Sequence, residues 1–485
     1  MNYTIRRLFP DELLVLTELF EYNDAEEMVG EIGSAISNNI CDVFVLYSGD
    51  KLLGELHAVY ESYDEKFASR GKRVYLCAYR VHKAFRNQGI GQYLLENVMK
   101  TLKSQGYSEF TIGVEDDNMR AKHIYEKYGF SEIISRETGC YQGDSYEYDL
   151  LLNNKIEKIE QLCSKYNLGR LLAEPDMVTG GLMHKMYHVA TDGGEYAIKE
   201  LNPDIMLRPD AMDNMINSEL ISNALRNDIP LAAAKEFQGQ HVIESDGFYY
   251  MVFEWLDGRS VFATDISDYH CEQIGKLLGR IHAANICIGG MKKEPNIRST
   301  YDWDMLLGEA EKQGAAWCVP FKESLSEIKQ WDKNAVDSGK ILSEYQVISH
   351  RDLDPKNVMW KDNKPYLIDW EAAGYVNPFQ ELAEVLNYWA VNSSGNYDKK
   401  KFSAMMNAYT ESVDISSANW EIVLNGGFDG MLGWLEYNIR RALGFEGSSN
   451  DDKRAGESQT ISTIKELKNY AARMKQLKNW LCEGE

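Results

Sequence analysis

Two kinds of apolar spacing share this chain, and their balance shifts part-way along it. Up to about residue 152, short runs of Val, Leu, Ile and Tyr alternate with stretches whose apolar residues recur every three or four positions. Tyr3 to Arg7 reads as a strand, and Pro10 to Glu21 as a helix with proline in its first turn. "VFVLY" and "LLGELHAVY" flank "SGDK", which signals a hairpin. "VYLCAYRV" is a strand that runs through a Gly-rich turn into a helix over Gln92 to Ser104. "EFTIGVE" is a strand, "NMRAKHIYEKYGF" a helix, and "SEIISRET" and "SYEYDLLL" are closing strands.

A polar junction, "NNKIEKIEQLCSKYNLG", then runs into a helix ended by Gly169, so a boundary is expected near Leu152. "GEYAIKEL" and "FYYMVFEWL" read as strands around a helix containing "NSELISNAL". Beyond about Asp268 helical periodicity dominates, except in a strand–loop–strand region from Tyr345 to Trp370. The segment from Glu446 to Ser458 reads as low-complexity polar sequence. The expected architecture is a two-domain α+β / α/β chain. Domain one spans 1–152. Domain two spans 153–485, with strands in about 170–257 and helices in about 258–485.

At 485 residues the chain is too long for one core. No apolar run approaches a membrane span, and Asp11 and Glu12 interrupt the start, so a soluble, cytoplasmic protein is expected. The eight cysteines form no C-x-x-C pair, which reads as reduced, mostly buried thiols. The net charge of −23 divides into −9 over 1–150 and −14 over the rest. Nucleic acid is a poor partner for either half, and a cationic small molecule a better one.

The first chemical constellation is "FRNQGIG", which follows a strand and opens a helix. Glycines there let backbone approach a ligand, and the helix N-terminus offers N–H donors to a pyrophosphate. Downstream, Asn118, Ala121 and Tyr125 share one helix face, and Gly129 and Phe130 end that helix. Together these motifs resemble the GNAT acetyltransferase family across about 1–152. Its Arg/Gln-x-x-Gly-x-Gly/Ala motif falls on Arg86, Gly89 and Gly91. The resemblance implies a mixed central sheet with flanking helices. It also implies acetyl-CoA held by Arg86, Asn87, Gln88, Gly89, Ile90 and Gly91, with the pantetheine arm beside Tyr79 to Val81 and Asn118. Tyr125 would protonate the leaving thiolate. An amine acceptor needs a base, for which Glu115 and Asp116 are both candidates.

The second constellation is "SHRDLDPKNVMW". Asp352 and Asn357 lie five apart, and Asp369 follows in "YLIDW". Two carboxylates and an amide oxygen suit Mg²⁺, with one carboxylate left to take a hydroxyl proton. The pattern resembles the aminoglycoside phosphotransferase and choline kinase group of protein-kinase-like enzymes. That implies a bilobal kinase-like fold with a helical C-lobe, ATP (or GTP) and Mg²⁺. Asp352 would be the base, Asn357 and Asp369 the metal ligands, and His350 an ordering residue. Gly180 and Gly181 would face phosphate, Lys199 would reach the α- and β-phosphates, and Glu219 would pair with Lys199. The Glu254 carbonyl and Leu256 N–H would read a purine edge. Asp369 is followed by Trp-Glu rather than Phe-Gly, and a helix begins soon after, so a small substrate is expected.

The combined expectation is a bifunctional enzyme, N-acetyltransferase plus O-phosphotransferase, acting on a cationic substrate of aminoglycoside type. Such fusions are associated with antibiotic resistance. Two alternatives stay open: a metabolic pair acting on an amino alcohol, amino sugar or nucleoside, and a sensor with one non-catalytic half.

Overall fold

The computed structural model describes residues 3–20, 24–86, 88–116, 118–130, 132–141, 144–178, 184–262, 264–293, 298–392, 395–446 and 450–482. They divide into two compact units: Met1–Pro203 with Ile243–Val252, and Asp204–Val242 with Phe253–Glu485.

The first unit is built on a seven-stranded sheet. Its strands are β1 (Tyr3–Arg7), β2 (Cys41–Ser48), β3 (Lys51–Val59), β4 (Arg73–Val81), β5 (Glu109–Glu115), β6 (Glu132–Tyr141) and β7 (Asp144–Asn153), in the order β1-β2-β3-β4-β5-β7-β6. All neighbours are antiparallel except β4 and β5. One face is covered by α1 (Ala25–Ser37), started by Asp24, whose carboxylate accepts the N–H groups of Glu26 and Glu27 at 2.9 Å. The sequence reading had no helix here. The other face is covered by α2 (Ile90–Ser104), whose Ile90, Leu94, Leu95, Val98, Met99 and Leu102 form one buried stripe. α3 (Met119–Lys127) follows β5.

The stretch from Pro10 differs from its expected form: it is a 3₁₀ helix ending at Glu18, not an α-helix reaching Glu21. Its buried residues, Leu13 and Leu16, are three apart, the spacing that three residues per turn brings onto one line.

After β7, α4 (Lys155–Lys165) buries Ile159, Leu162 and Cys163. The same unit continues into a five-stranded sheet of β8 (Asp176–Val178), β9 (Lys185–Thr191), β10 (Gly194–Glu200), β11 (Ile243–Ser245) and β12 (Phe248–Glu254), ordered β11-β12-β10-β9-β8.

The second unit is mainly helical. It holds α5 (Pro203–Met206), α6 (Ala211–Leu225), α7 (Asp268–Ala284), α8 (Trp303–Gln313), α9 (Cys318–Leu342), α10 (Pro378–Trp389), α11 (Lys399–Thr410), α12 (Trp420–Gly426), α13 (Asp429–Leu443) and α14 (Asn450–Cys482). Two small hairpin-like pairs carry the loop chemistry: β13 (Val347–Ser349) with β16 (Gly374–Val376), and β14 (Val358–Lys361) with β15 (Lys364–Leu367). One large core joins Ile274, Leu278 and Ile281 of α7 to Leu382, Leu386 and Trp389 of α10 and to Met405 of α11.

The polar segment near 446–458 is helix from Asn450 onward. Its Gly456 has no side chain because a Cβ there would lie 2.8 Å from Asn438 O and 2.6 Å from Ala442 N. A close helix crossing, not an apolar stripe, holds this end of α14 against α13.

The seven described cysteines are free thiols; Cys41, Cys163 and Cys271 are buried, and Cys287 and Cys482 are exposed. Among the described residues no helix is long and apolar enough to cross a membrane.

Candidate functional site

In the first unit, β4 and β5 pair only from Arg73 opposite Glu109 to Leu76 opposite Ile112. Beyond that point β4 runs on to Val81 and β5 to Glu115 unpaired with each other. Ala78 has φ +47°, and the β3–β4 register shifts beside it, so a bulge marks the place where the strands part. Tyr79 and Val81, the expected pantetheine neighbours, lie on this free stretch.

The turn that follows ends at Gly89, the residue before α2, with φ +77°. A Cβ there would meet no atom of the described residues within 4 Å, so among them the space in front of the helix N-terminus is open. Ile90 and Gly91 are the first helical residues, and the N–H groups of a first turn have no intrahelical acceptor. Gly91 has a different task from Gly89: a Cβ on it would lie 2.7 Å from Tyr79 Oη and 3.2 Å from Val81 Cγ2. It is a packing glycine that lets α2 approach β4. Arg86 does not reach forward; its Nε donates to Val81 O at 3.1 Å and fastens the turn to the end of β4. Gln88 donates to Ala84 O at 3.3 Å. Asn87 lies outside the described residues.

Asn118 is the N-cap of α3, its Oδ1 accepting the Ala121 N–H at 3.1 Å. Tyr125 on the same helix is buried, with its ring 6.2 Å from that of Tyr79. Burial pushes its phenol well above the usual tyrosine range, which keeps the proton on oxygen. The two expected base candidates lie at the end of β5. Glu115 is exposed, and Asp116 is exposed and paired with Lys122 at 2.6 Å.

In the second unit, the loop after β13 is held from both sides. The amide Nδ2 of Asn357 donates to Asp352 O and to Asp352 Oδ2, both at 2.8 Å. Asn357 is buried, and with its nitrogen committed, its carbonyl oxygen is the group left to a metal. Asp369 follows β15 in a left-handed conformation, φ +61°. The neighbouring Ile368 N–H bonds to Asn357 O at 3.0 Å, which ties the two candidate ligands' backbones together.

His350 is fully buried. Its Nε2 bonds Ile368 O at 3.0 Å, and its Nδ1 takes the Asp352 N–H at 3.3 Å. Burial lowers its pKa, in keeping with a neutral ring that donates on one side and accepts on the other.

Sequence reasoning missed a second brace. Arg351, with φ +65°, gives its N–H to Glu381 Oε1 at 2.6 Å. The other Glu381 oxygen meets His282 Nε2 at 2.7 Å, and His282 Nδ1 meets Tyr409 Oη at 2.8 Å. Burial alone would raise the Glu381 carboxyl, but the bonds from His282 and Arg351 outweigh it and hold it below the usual range. Glu381 and His282 were readable only as members of apolar helical stripes.

Glu254 ends β12 and pairs with Lys235. Leu256 accepts the Gly258 N–H at 2.9 Å, and its own N–H has no partner among the described residues. Glu219 on α6 is buried and accepts the Ala234 N–H at 2.7 Å and the Ser222 hydroxyl at 3.1 Å. In the first unit, Lys199 is buried on β10. The adjacent Glu200 points to the opposite face, where Lys185 binds it at 3.1 Å. Gly180 and Gly181 lie outside the described residues.

Comparison with known proteins gives each constellation a family. Residues 10–130 match the model of the acetyltransferase (GNAT) family, and residues 178–409 that of the phosphotransferase enzyme family. The chain carries a GNAT domain followed by a phosphotransferase-family domain. Stress response kinase A of Escherichia coli (strain K12) is 28% identical over 179 residues, covering 36% of this chain and 52% of that protein. A Salmonella typhimurium protein named serine/threonine protein kinase RdoA is 26% identical over 167 residues, 34% of this chain and 48% of that protein. The chain thus spans about half the length of the curated relatives it matches. The crystal structure of spectinomycin phosphotransferase with ADP and spectinomycin aligns with TM-score 0.51 and 14% identity, over 65% of this chain and 98% of that one. At that identity the likeness is one of fold, and it places the phosphotransferase domain among kinase-like folds.

Proposed function

We propose that this protein is a two-activity enzyme that transfers an acetyl group from acetyl-CoA to an amine and a phosphoryl group from a nucleotide to a hydroxyl of a small cationic substrate. The observation that carries the phosphotransferase reading is the Asp352–Asn357 pair, bonded at 2.8 Å in a loop braced by His350 and Glu381. Asp352 would orient the substrate hydroxyl and take its proton. Asn357 and Asp369 would hold Mg²⁺, to which hard oxygens are suited. When bound, the ion neutralises phosphate charge. The acetyltransferase reading is supported by the parted β4 and β5 strands, the open space before Gly89 and the protonated Tyr125 beside Tyr79.

A small acceptor is supported by the interval after Asp369. A short 3₁₀ turn (Trp370–Ala372), β16 and the Asn377 cap fill it before α10 begins at Pro378, which leaves no segment to dock a peptide. A cationic acceptor is supported by the net charge of −23. The second reading, a protein hydroxyl as acceptor, draws support from the curated relative named a serine/threonine protein kinase.

The test is purified full-length protein with acetyl-CoA, or with ATP or GTP and Mg²⁺, against kanamycin, glucosamine, ethanolamine and casein. Acetylation and phosphorylation of one or more of the small amines is the expected result. Phosphorylation of casein alone would favour the second reading, and transfer to none of the four would overturn both.

A further inference from the structure

The seven-stranded sheet holds a buried ionic cluster that the candidate site leaves unused. Glu55 on β3 is fully buried, and His57, two residues on, is 6% exposed. Arg80 of β4 lies directly across from Glu55, and Cys77 directly across from His57. Arg80 Nη1 donates to Glu55 Oε1 at 2.9 Å, while His57 Nε2 meets Glu55 Oε2 at 3.1 Å. The Arg80 guanidinium also stacks over the Phe20 ring, 3.9 Å from its centre. Nδ1 of His57 has no hydrogen-bond partner among the described residues.

The cluster's place in the sheet suggests its use. Leu56 and Ala58 pack with Leu94 and Val98 under α2, so Glu55 and His57, which alternate with them, point to the opposite face. That face is otherwise apolar, built from Val43, Val45 and Leu52 against Leu13, Leu16 and Met28. Apolar side chains would serve packing there as well as an ionic trio, or better. The trio flanks the bulge at Ala78, where β4 leaves β5. The gap in the sheet therefore has Tyr79, Tyr125 and the start of α2 on one face, and His57, Cys77 and Arg80 on the other.

We propose that His57 is the base for acetyl transfer, with Glu55 as the positioning residue that fixes its ring; this rests on the acetyltransferase reading of the first unit. With the Nε2 proton held by Glu55, the Nδ1 lone pair is the ring's remaining basic site. A neutral amine attacks the thioester carbonyl carbon from the His57 face, and the new N–C bond leaves the nitrogen with one proton too many. His57 Nδ1 takes that proton. The C–S bond breaks as Tyr125 protonates the departing sulfur, and His57 and Tyr125 regain their starting states by exchange with solvent. Atoms and charge balance, and no further reactant is needed.

The experiment uses full-length protein, acetyl-CoA, and kanamycin, glucosamine and ethanolamine as amines. His57→Ala should lower kcat by roughly 10²- to 10⁴-fold, with acetyl-CoA affinity by calorimetry within about two-fold of the parent. Added imidazole should restore on the order of ten-fold of the lost rate, because it replaces a missing base but not a missing structural contact. Glu55→Gln should lower kcat with little change in KM. A His57→Ala protein that turns over at the parent rate overturns the assignment. So does one that is slow, insensitive to imidazole and unable to bind acetyl-CoA. Should that variant not fold, ethoxyformylation of the parent, mapped by peptide mass spectrometry, decides: acetylation surviving modification at His57 overturns the role. A parent that binds acetyl-CoA yet acetylates none of the three amines overturns the acetyltransferase reading itself, and the role of His57 with it.

Discussion

Single side chains in the phosphotransferase loop carry separable duties. Asp352 is half-exposed and reaches solvent, while Asn357 is buried and bonded to it. In phosphoryl transfer, positioning and charge neutralisation dominate over proton removal. Asp352→Asn should therefore leave Mg²⁺-dependent nucleotide binding nearly intact while turnover falls by roughly two to four decades. Asp369→Asn removes a proposed metal ligand and should weaken Mg²⁺–nucleotide binding as well. Nucleotide titration with and without Mg²⁺, beside transfer rates, checks both. Loss of Mg²⁺-dependent binding in Asp352→Asn but not in Asp369→Asn would show the roles reversed.

At the scale of elements, the start of α2 shows how one motif divides its work. Gly91 is there for packing against Tyr79, whereas Gly89 lies in a left-handed turn with no described atom within 4 Å of a Cβ there. Gly89→Val sets a β-branched residue at φ +77°, a strain of about 1–2 kcal/mol, and fills the open space. Calorimetry should show acetyl-CoA binding at least about ten-fold weaker while circular dichroism stays native. Unchanged affinity would move the pyrophosphate elsewhere. Glu381 makes the same point in the second unit. A helix soon after Asp369 was expected and is α10, but a carboxylate on its buried side braces Arg351 from 30 residues away in sequence.

Across the molecule, α4 has more weight than a linker. It follows the last strand of the seven-stranded sheet, and Leu162 and Ile159 on it are fully buried. Lys158 reaches Glu132 of β6 at 2.8 Å and lies 3.5 Å from the centre of the Phe248 ring of β12. One helix thus contacts both sheets of the first unit. Leu162→Ala leaves a cavity at that junction and should destabilise the first unit by roughly 2–5 kcal/mol. Urea denaturation followed by fluorescence should show unfolding of the first unit begin at lower urea; an unfolding profile unchanged within error would mean that α4 contributes little.

The sequence by itself determined most of the order of elements and both family resemblances. These are local: strand alternation, helix periodicity and the spacing of charged residues in a loop are written within a few positions of each other. The same locality explains the failures. The 3₁₀ form of Pro10–Glu18 goes with Leu13 and Leu16 turning inward three residues apart, and α1, absent from the sequence reading, covers the sheet face those leucines share. Only the tertiary structure decided that Gly91 packs while Gly89 opens onto space, that Glu381 and His282 brace the loop, and that Glu55, His57 and Arg80 meet beside the gap in the sheet. Each depends on how different elements are brought together at ångström distances, and spacing along the chain does not encode which strands will part or which helix will cover them.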